Sequence, residues 1–211
     1  MRAQRASKPP LDELVSRALG LVPTHGRAIL GITGPPGAGK STLTSALLAE
    51  LGLEVAHLPM DGFHLADVQL DRLGLRERKG APETFDVDGY VTALRRLHDE
   101  PRRTLYVPGF ERDLEQPIAA ELAIPPSARL VITEGNYLLL DDNGWEHVRP
   151  LLAECWYVDL DDAVRRSRLV ARHQQFGKTP DAAREWVDQV DEANSRLVGA
   201  TRSAADLLVT S

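Results

Sequence analysis

Cysteine is almost missing from the sequence. Cys155 is the single one in 211 residues, which excludes an intramolecular disulfide framework and a multi-cysteine metal site. Long apolar runs are missing too: a membrane-spanning helix needs about 20 mostly apolar residues, and no such stretch occurs. The first ten residues carry Arg2, Arg5 and Lys8 but no apolar signal core of about 7–15 residues before Asp12 and Glu13. They read as a frayed end leading into a helix over Leu11–Leu21. Positive charge is not in surplus; the formal net charge of −6 argues against a general nucleic-acid coat. Neither an internal repeat nor a low-complexity tract is present. What is there is an ordinary globular composition, 43% hydrophobic and 27% charged. A chain of this size buries roughly 70% of its unfolded surface and needs no staples. One domain over residues 1–211, in the cytoplasm, is the expectation.

Short apolar runs alternate with helix-spaced segments. The strands fall at Ala28–Ile32, Val55–Leu58, Leu130–Thr133, Cys155–Val158 and Leu207–Val209. Helices fit at Ser41–Leu51, Val87–His98, Asp162–His173 and Pro180–Leu197. Apolar strands separated by helices imply a parallel sheet covered on both faces. The stretch Gly62–Pro126 is irregular, rich in scattered glycine and proline, with a hairpin signal at Thr104–Val107 and after Glu115. It reads as an insert that builds the substrate side of a site, since loops carry the variable chemistry; the competing reading is a surface loop without a role.

Gly34-Pro35-Pro36-Gly37-Ala38-Gly39-Lys40-Ser41 matches G-x-x-x-x-G-K-[ST] at every fixed position, between an apolar strand and a helix. Glycines let successive backbone N–H groups converge on phosphate oxygens, and the helix N-terminus adds its positive end. Lys40 would reach the β- and γ-phosphates, the Ser41 hydroxyl would ligate Mg²⁺, and Thr42 continues the cradle. Leu130–Thr133 ends in Glu134, and a carboxylate there holds Mg²⁺ or its waters in P-loop proteins. Asp61 follows the second strand. Ligands of parallel sheets bind at the carboxyl ends of strands, so Asp61 should face the same crevice and accept the proton of an attacking hydroxyl. Phe63 and His64 would line the acceptor pocket. Taken alone, each carboxylate could merely cap a turn.

Gly34–Ser41, Asp61-Gly62-Phe63-His64 and Glu134-Gly135 together resemble the uridine kinase, pantothenate kinase and phosphoribulokinase group of P-loop kinases. Gly80-Ala81-Pro82-Glu83-Thr84-Phe85-Asp86 is similar to the segment these kinases place ahead of an acceptor-side helix. Tyr106-Val107-Pro108-Gly109-Phe110-Glu111-Arg112 is similar to the hairpin that closes over their substrate. The similarity runs from about Ala28 to Val209, and it looks most like bacterial nucleoside/nucleotide kinase family proteins, some associated with sugar or fructose uptake. Uridine kinases usually carry Asp-Ser-Phe-Tyr where this chain has Asp61-Gly62-Phe63-His64, which is nearer the pantothenate kinase pattern. The resemblance implies a three-layer α/β/α P-loop fold with a parallel central sheet, an acceptor-side insert at 62–126 and an arginine lid at 161–180. It also implies phosphorylation of a small-molecule hydroxyl by ATP·Mg²⁺, with Asp61 as base.

In the lid, Arg165, Arg168 and Arg172 stand three and four apart and so share a helix face, suited to clamping a triphosphate. Of these, Arg168 and Arg172 match the family's lid arginines best. A solvated basic face is the competing reading. Asn194 matches a recurrent asparagine of the relatives and has no assigned role. Cys155, Trp145, Trp156 and Trp186 read as packing residues. For the acceptor, Phe63, Tyr106 and Phe110 would stack on a nucleoside, whereas His64, Arg112 and Asn136 would hydrogen-bond a sugar or a pantothenate-like compound; both sets are on offer. The partners expected are a small-molecule acceptor, no nucleic acid and no membrane, with a homodimer left open. A P-loop switch or assembly factor acting on a protein is the alternative function, though such a protein has no reason to carry the Asp61 segment or the Tyr106–Arg112 hairpin.

Overall fold

The computed structural model describes residues 9–210; the expectation for the basic N-terminal residues up to residue 8 lies outside them. Five parallel strands form the central sheet: β1 (Ala28–Thr33), β2 (Val55–Pro59), β5 (Leu130–Glu134), β6 (Glu154–Asp159) and β7 (Leu207–Thr210), in the order β2-β5-β1-β6-β7. Every residue of β1 is buried, which is why it reads as an unbroken apolar run rather than an alternating one. Alternation is still present in three dimensions. Ile29, Val131 and Tyr157 join a core with Tyr90, Leu94 and Leu97 of α4 (Val87–Asp99) and Val198 of α7 (Glu192–Ala200). Leu30, Ile132 and Trp156 join a second core with Leu14 of α1 (Leu11–Gly20) and Leu47 of α2 (Lys40–Leu51). The two cores on opposite faces of the sheet make the three layers expected of a P-loop fold.

Insert residues form α3 (Asp67–Leu73), α4 and an antiparallel hairpin, β3 (Leu105–Glu111) with β4 (Gln116–Ile124). Helix α3 has no counterpart among the sequence expectations. The hairpin register slips between Val107 and Gly109. Pro108 sits at the slip and has no N–H to donate to the ladder, and Ala120 on β4 absorbs the irregularity at φ +58°. Beyond β6 come α5 (Asp162–Gln175) and α6 (Pro180–Trp186). The single helix expected over Pro180–Leu197 is instead α6 and α7 joined by a π turn at Val187–Asp191. That turn buries Asp191, whose Oδ2 meets His173 Nε2 at 2.8 Å on the last turn of α5. No helix among the described residues is long and apolar enough to cross a membrane.

Candidate active site

Three chain segments leave the carboxyl edge of neighbouring strands side by side. Glu134, the last residue of β5, is in register with Ile32 of β1 on one side and Pro59 of β2 on the other. The glycine-rich loop therefore emerges on one flank of Glu134, and the 3-10 turn Met60–Phe63, which carries Asp61, emerges on the other. The strand order alone brings cradle, strand-end carboxylate and Asp61 together.

The loop is tied down by its own lysine. Lys40 Nζ donates to the carbonyls of Gly34 (2.9 Å) and Pro35 (3.1 Å) and to Asn136 Oδ1 (2.6 Å). Burial is the largest influence on this ammonium and lowers its pKa to about 8, against the pull of Glu134 and Asp61. Gly37 has φ +80°, and a Cβ there would press on Leu169 and on the Arg165 carbonyl of α5. A side chain would thus both strain the loop and push α5 off it. Ser41 Oγ donates to Glu134 Oε1 at 3.0 Å, while Glu134 Oε2 is buried with no hydrogen-bond partner. Burial pushes the Glu134 carboxyl above its ordinary range, opposed chiefly by Lys40.

On the other flank, Arg112 Nη2 donates to Asp61 Oδ2 at 2.9 Å. Burial pushes the Asp61 carboxyl up, but His64, Arg112, Lys40 and Arg172 together hold it below its ordinary value, so it is ionised at neutral pH. Gly62 explains how the hairpin comes so near: a Cβ there would collide with the Pro108 carbonyl of β3. His64 Nδ1 lies 2.9 Å from the Asp61 carbonyl, and burial lowers its pKa despite Asp61. Its ring packs against Phe85 (3.9 Å between centroids, planes tilted by 41°) and approaches Phe110 (5.0 Å). Lys79 and Arg112 lie over the Phe110 ring at 5.8 and 5.3 Å.

Not every expected residue lies here. Phe63 is in the core, edge-on to Tyr90 at 5.1 Å, because it stands three residues after buried Met60 and shares the inward face of the 3-10 turn. Tyr106 is 65% exposed and lines a small cleft of about 170 Å³ with Thr92 and Ala93 of α4. Asn136 meets the P-loop lysine rather than the Asp61 flank. In the lid, Arg165 is wholly buried, bonded to Asp162 Oδ1, Ser195 Oγ and Glu192 Oε1 at 3.1, 2.7 and 2.5 Å. It fastens α5 to α7 and is no phosphate ligand. Arg168 and Arg172 are exposed on the same helix, and the charge of Arg172 acts on Lys40, Asp61 and Arg112.

Sequence reasoning overlooked Lys79, Phe85 and Tyr137. The Tyr137 hydroxyl donates to the Gly80 carbonyl at 2.5 Å, and Asn194 Nδ2 reaches the same oxygen at 3.4 Å, so the segment after β5 and α7 both hold the Gly80–Asp86 loop. Phe85 and Tyr137 stand inside or beside motifs singled out above, which was the available signal. Cys155 and Trp156 are buried as expected, burial pushing the thiol pKa up.

A glycine-rich phosphate cradle, its lysine and a strand-end carboxylate on a three-layer parallel fold define a P-loop nucleoside-triphosphate-binding protein. The model of the phosphoribulokinase/uridine kinase family matches residues 29–211. A candidate uridine kinase of Schizosaccharomyces pombe is 34% identical over 210 residues, covering 94% of this chain and 89% of that protein. YggC of Escherichia coli K12, uncharacterised, is 35% identical over 211 residues, covering 98% and 86%. The crystal structure of a candidate fructose transport system kinase from Silicibacter sp. TM1040 superposes with a TM-score of 0.86 at 36% identity, covering 95% of this chain and 98% of that one. The chain belongs to the phosphoribulokinase/uridine kinase family and is an ATP-dependent kinase with an alcohol group as acceptor.

Proposed function

We propose that the enzyme transfers the γ-phosphoryl group of ATP to a hydroxyl of a small, hydroxyl-rich metabolite of the sugar class, with Asp61 as general base. The observation that carries this is the placement of the Asp61 carboxylate, one strand from Glu134 and two from the phosphate cradle. The acceptor oxygen attacks the γ-phosphorus, the bond to the β–γ bridging oxygen breaks, ADP leaves, and the hydroxyl proton passes to Asp61. Lys40 exchanges its loop carbonyls and Asn136 for phosphate oxygens. Arg168 and Arg172, on a helix that packs against the loop through Leu169, close over the triphosphate and exclude water.

Ser41 and Glu134 fit a hard cation: a hydroxyl and a carboxylate face each other, with one carboxylate oxygen buried and unpaired. They would hold the Mg²⁺ of Mg·ATP, which supplies charge neutralisation at the β- and γ-phosphates.

The sugar class is favoured over a nucleoside because the aromatic set is spent elsewhere. Phe63 is in the core, Tyr106 lies in the α4 cleft, and the Phe110 ring is flanked by two cations. His64 remains as a hydrogen-bonding group, only its Nδ1 being taken, by the Asp61 carbonyl. The candidate fructose transport system kinase among the relatives supports the same reading, and the candidate uridine kinase supports the other. ATP consumption against a panel of sugars, polyols, hydroxy acids and nucleosides, with product mass read alongside, tests it. A sugar-class compound gaining one phosphoryl group is the expected result; a nucleoside as the sole acceptor would overturn the assignment.

A further inference from the structure

Sequence pattern assigned Arg112 to the acceptor. We infer instead that Arg112 is a positioning residue for Asp61: the hairpin guanidinium fixes one carboxylate oxygen so that the other stands free for the acceptor hydroxyl. This rests on the reading of Asp61 as base.

The geometry is specific. Arg112 gives one N–H, from Nη2, to one oxygen, Oδ2. Among the described residues, the side chain of Asp61 accepts this one hydrogen bond, and none reaches Oδ1. A carboxylate held at one oxygen loses rotation about its terminal torsion while keeping one oxygen for proton transfer. The hairpin is itself held in place. The Pro108 carbonyl packs against the bare Cα of Gly62, next to Asp61, and the Arg112 guanidinium rests on Phe110, whose ring adjoins His64. The Asp61 turn and the hairpin therefore dock on each other at three points, one of them at Pro108, where the hairpin register slips. A residue meant only for the acceptor would not need to meet the base.

Charged and titratable groups act on Asp61 from every side: His57 on β2, His64 on its own turn, Lys40 on α2, Glu134 on β5, Arg112 on the hairpin and Arg172 on α5. Glu134 opposes ionisation of Asp61; His64, Arg112, Lys40 and Arg172 favour it. Removing Arg112 removes one attractor and leaves burial less opposed, so the carboxyl retains its proton to higher pH.

The test compares Arg112→Gln, Arg112→Lys and Asp61→Asn with wild type, using the acceptor found by the panel and following kcat, KM and the pH profile. Loss of one charge-assisted hydrogen bond predicts a fall in kcat of about 10- to 100-fold for Arg112→Gln. Its acidic limb should move to higher pH, its KM for ATP should stay unchanged, and Arg112→Lys should restore the limb. A raised acceptor KM with kcat and acidic limb at wild-type values would make Arg112 an acceptor ligand and overturn the inference. Asp61→Asn working at the wild-type rate would instead overturn the reading beneath it.

Discussion

Replacing Gly62 with alanine adds one methyl group where no space exists, since it would meet the Pro108 carbonyl carbon and oxygen and the Gly109 nitrogen. These are backbone atoms and cannot rotate aside, so either the hairpin lifts or the turn carrying Asp61 shifts. Forced overpacking of this kind costs about 1–3 kcal/mol. At about 2–4 °C per kcal/mol for a chain of this size, the melting temperature should fall by several degrees. The catalytic loss should be larger than the stability loss suggests. A displacement of about 1 Å between base and acceptor wall costs on the order of 100-fold in rate, and the hairpin carries both Arg112 and Phe110. Differential scanning calorimetry and steady-state kinetics on the same preparation read the two effects. A Gly62→Ala enzyme that keeps wild-type kcat and melting temperature would refute the close docking of hairpin on base.

Arg165→Ala should cost about 3–5 kcal/mol, because a wholly buried guanidinium is removed from Glu192 and Ser195, whereas Arg168→Ala should leave the melting temperature unchanged and lower kcat; thermal melts and kinetics of the pair separate anchor from clamp. Lys40, with its pKa lowered to about 8, is charged below that pH and neutral above it. Affinity for free ATP should therefore weaken as pH rises through about 8, and calorimetric titrations showing constant affinity up to pH 9.5 would contradict the assignment. Tyr106→Ala should change kcat/KM by no more than about twofold, as for an ordinary surface substitution, whereas a loss of an order of magnitude would return Tyr106 to the acceptor site.

What could be read from the chain in advance is what depends on contiguous residues. The phosphate cradle, Glu134 at a strand end and Asp61 just past another each need only a local backbone shape and the rule that parallel strands present ligands at their carboxyl edge. The insert resisted because side-chain direction there depends on partners far away in sequence. Strand alternation does turn Tyr106 outward between buried Leu105 and Val107, but it cannot place Arg112, which follows the end of β3 beyond the register slip at Pro108. The lid shows the same limit differently. Spacing correctly puts Arg165 and Arg172 on one helix face, yet α7 covers the first and leaves the second open, and no periodicity encodes which stretch of a helix face is covered. Asn194 gained a contact only when α7 was packed against the Gly80 loop.

The most direct measurement of the central claim is phosphoryl transfer by Asp61→Asn beside wild type, with ATP binding measured on the same samples. Removal of a general base predicts a loss in turnover of about 10²- to 10⁴-fold, with ATP affinity nearly unchanged because the cradle on β1 and α2 is untouched. Transfer at the wild-type rate by the asparagine variant would contradict the account, and the base would have to be sought elsewhere on the acceptor side.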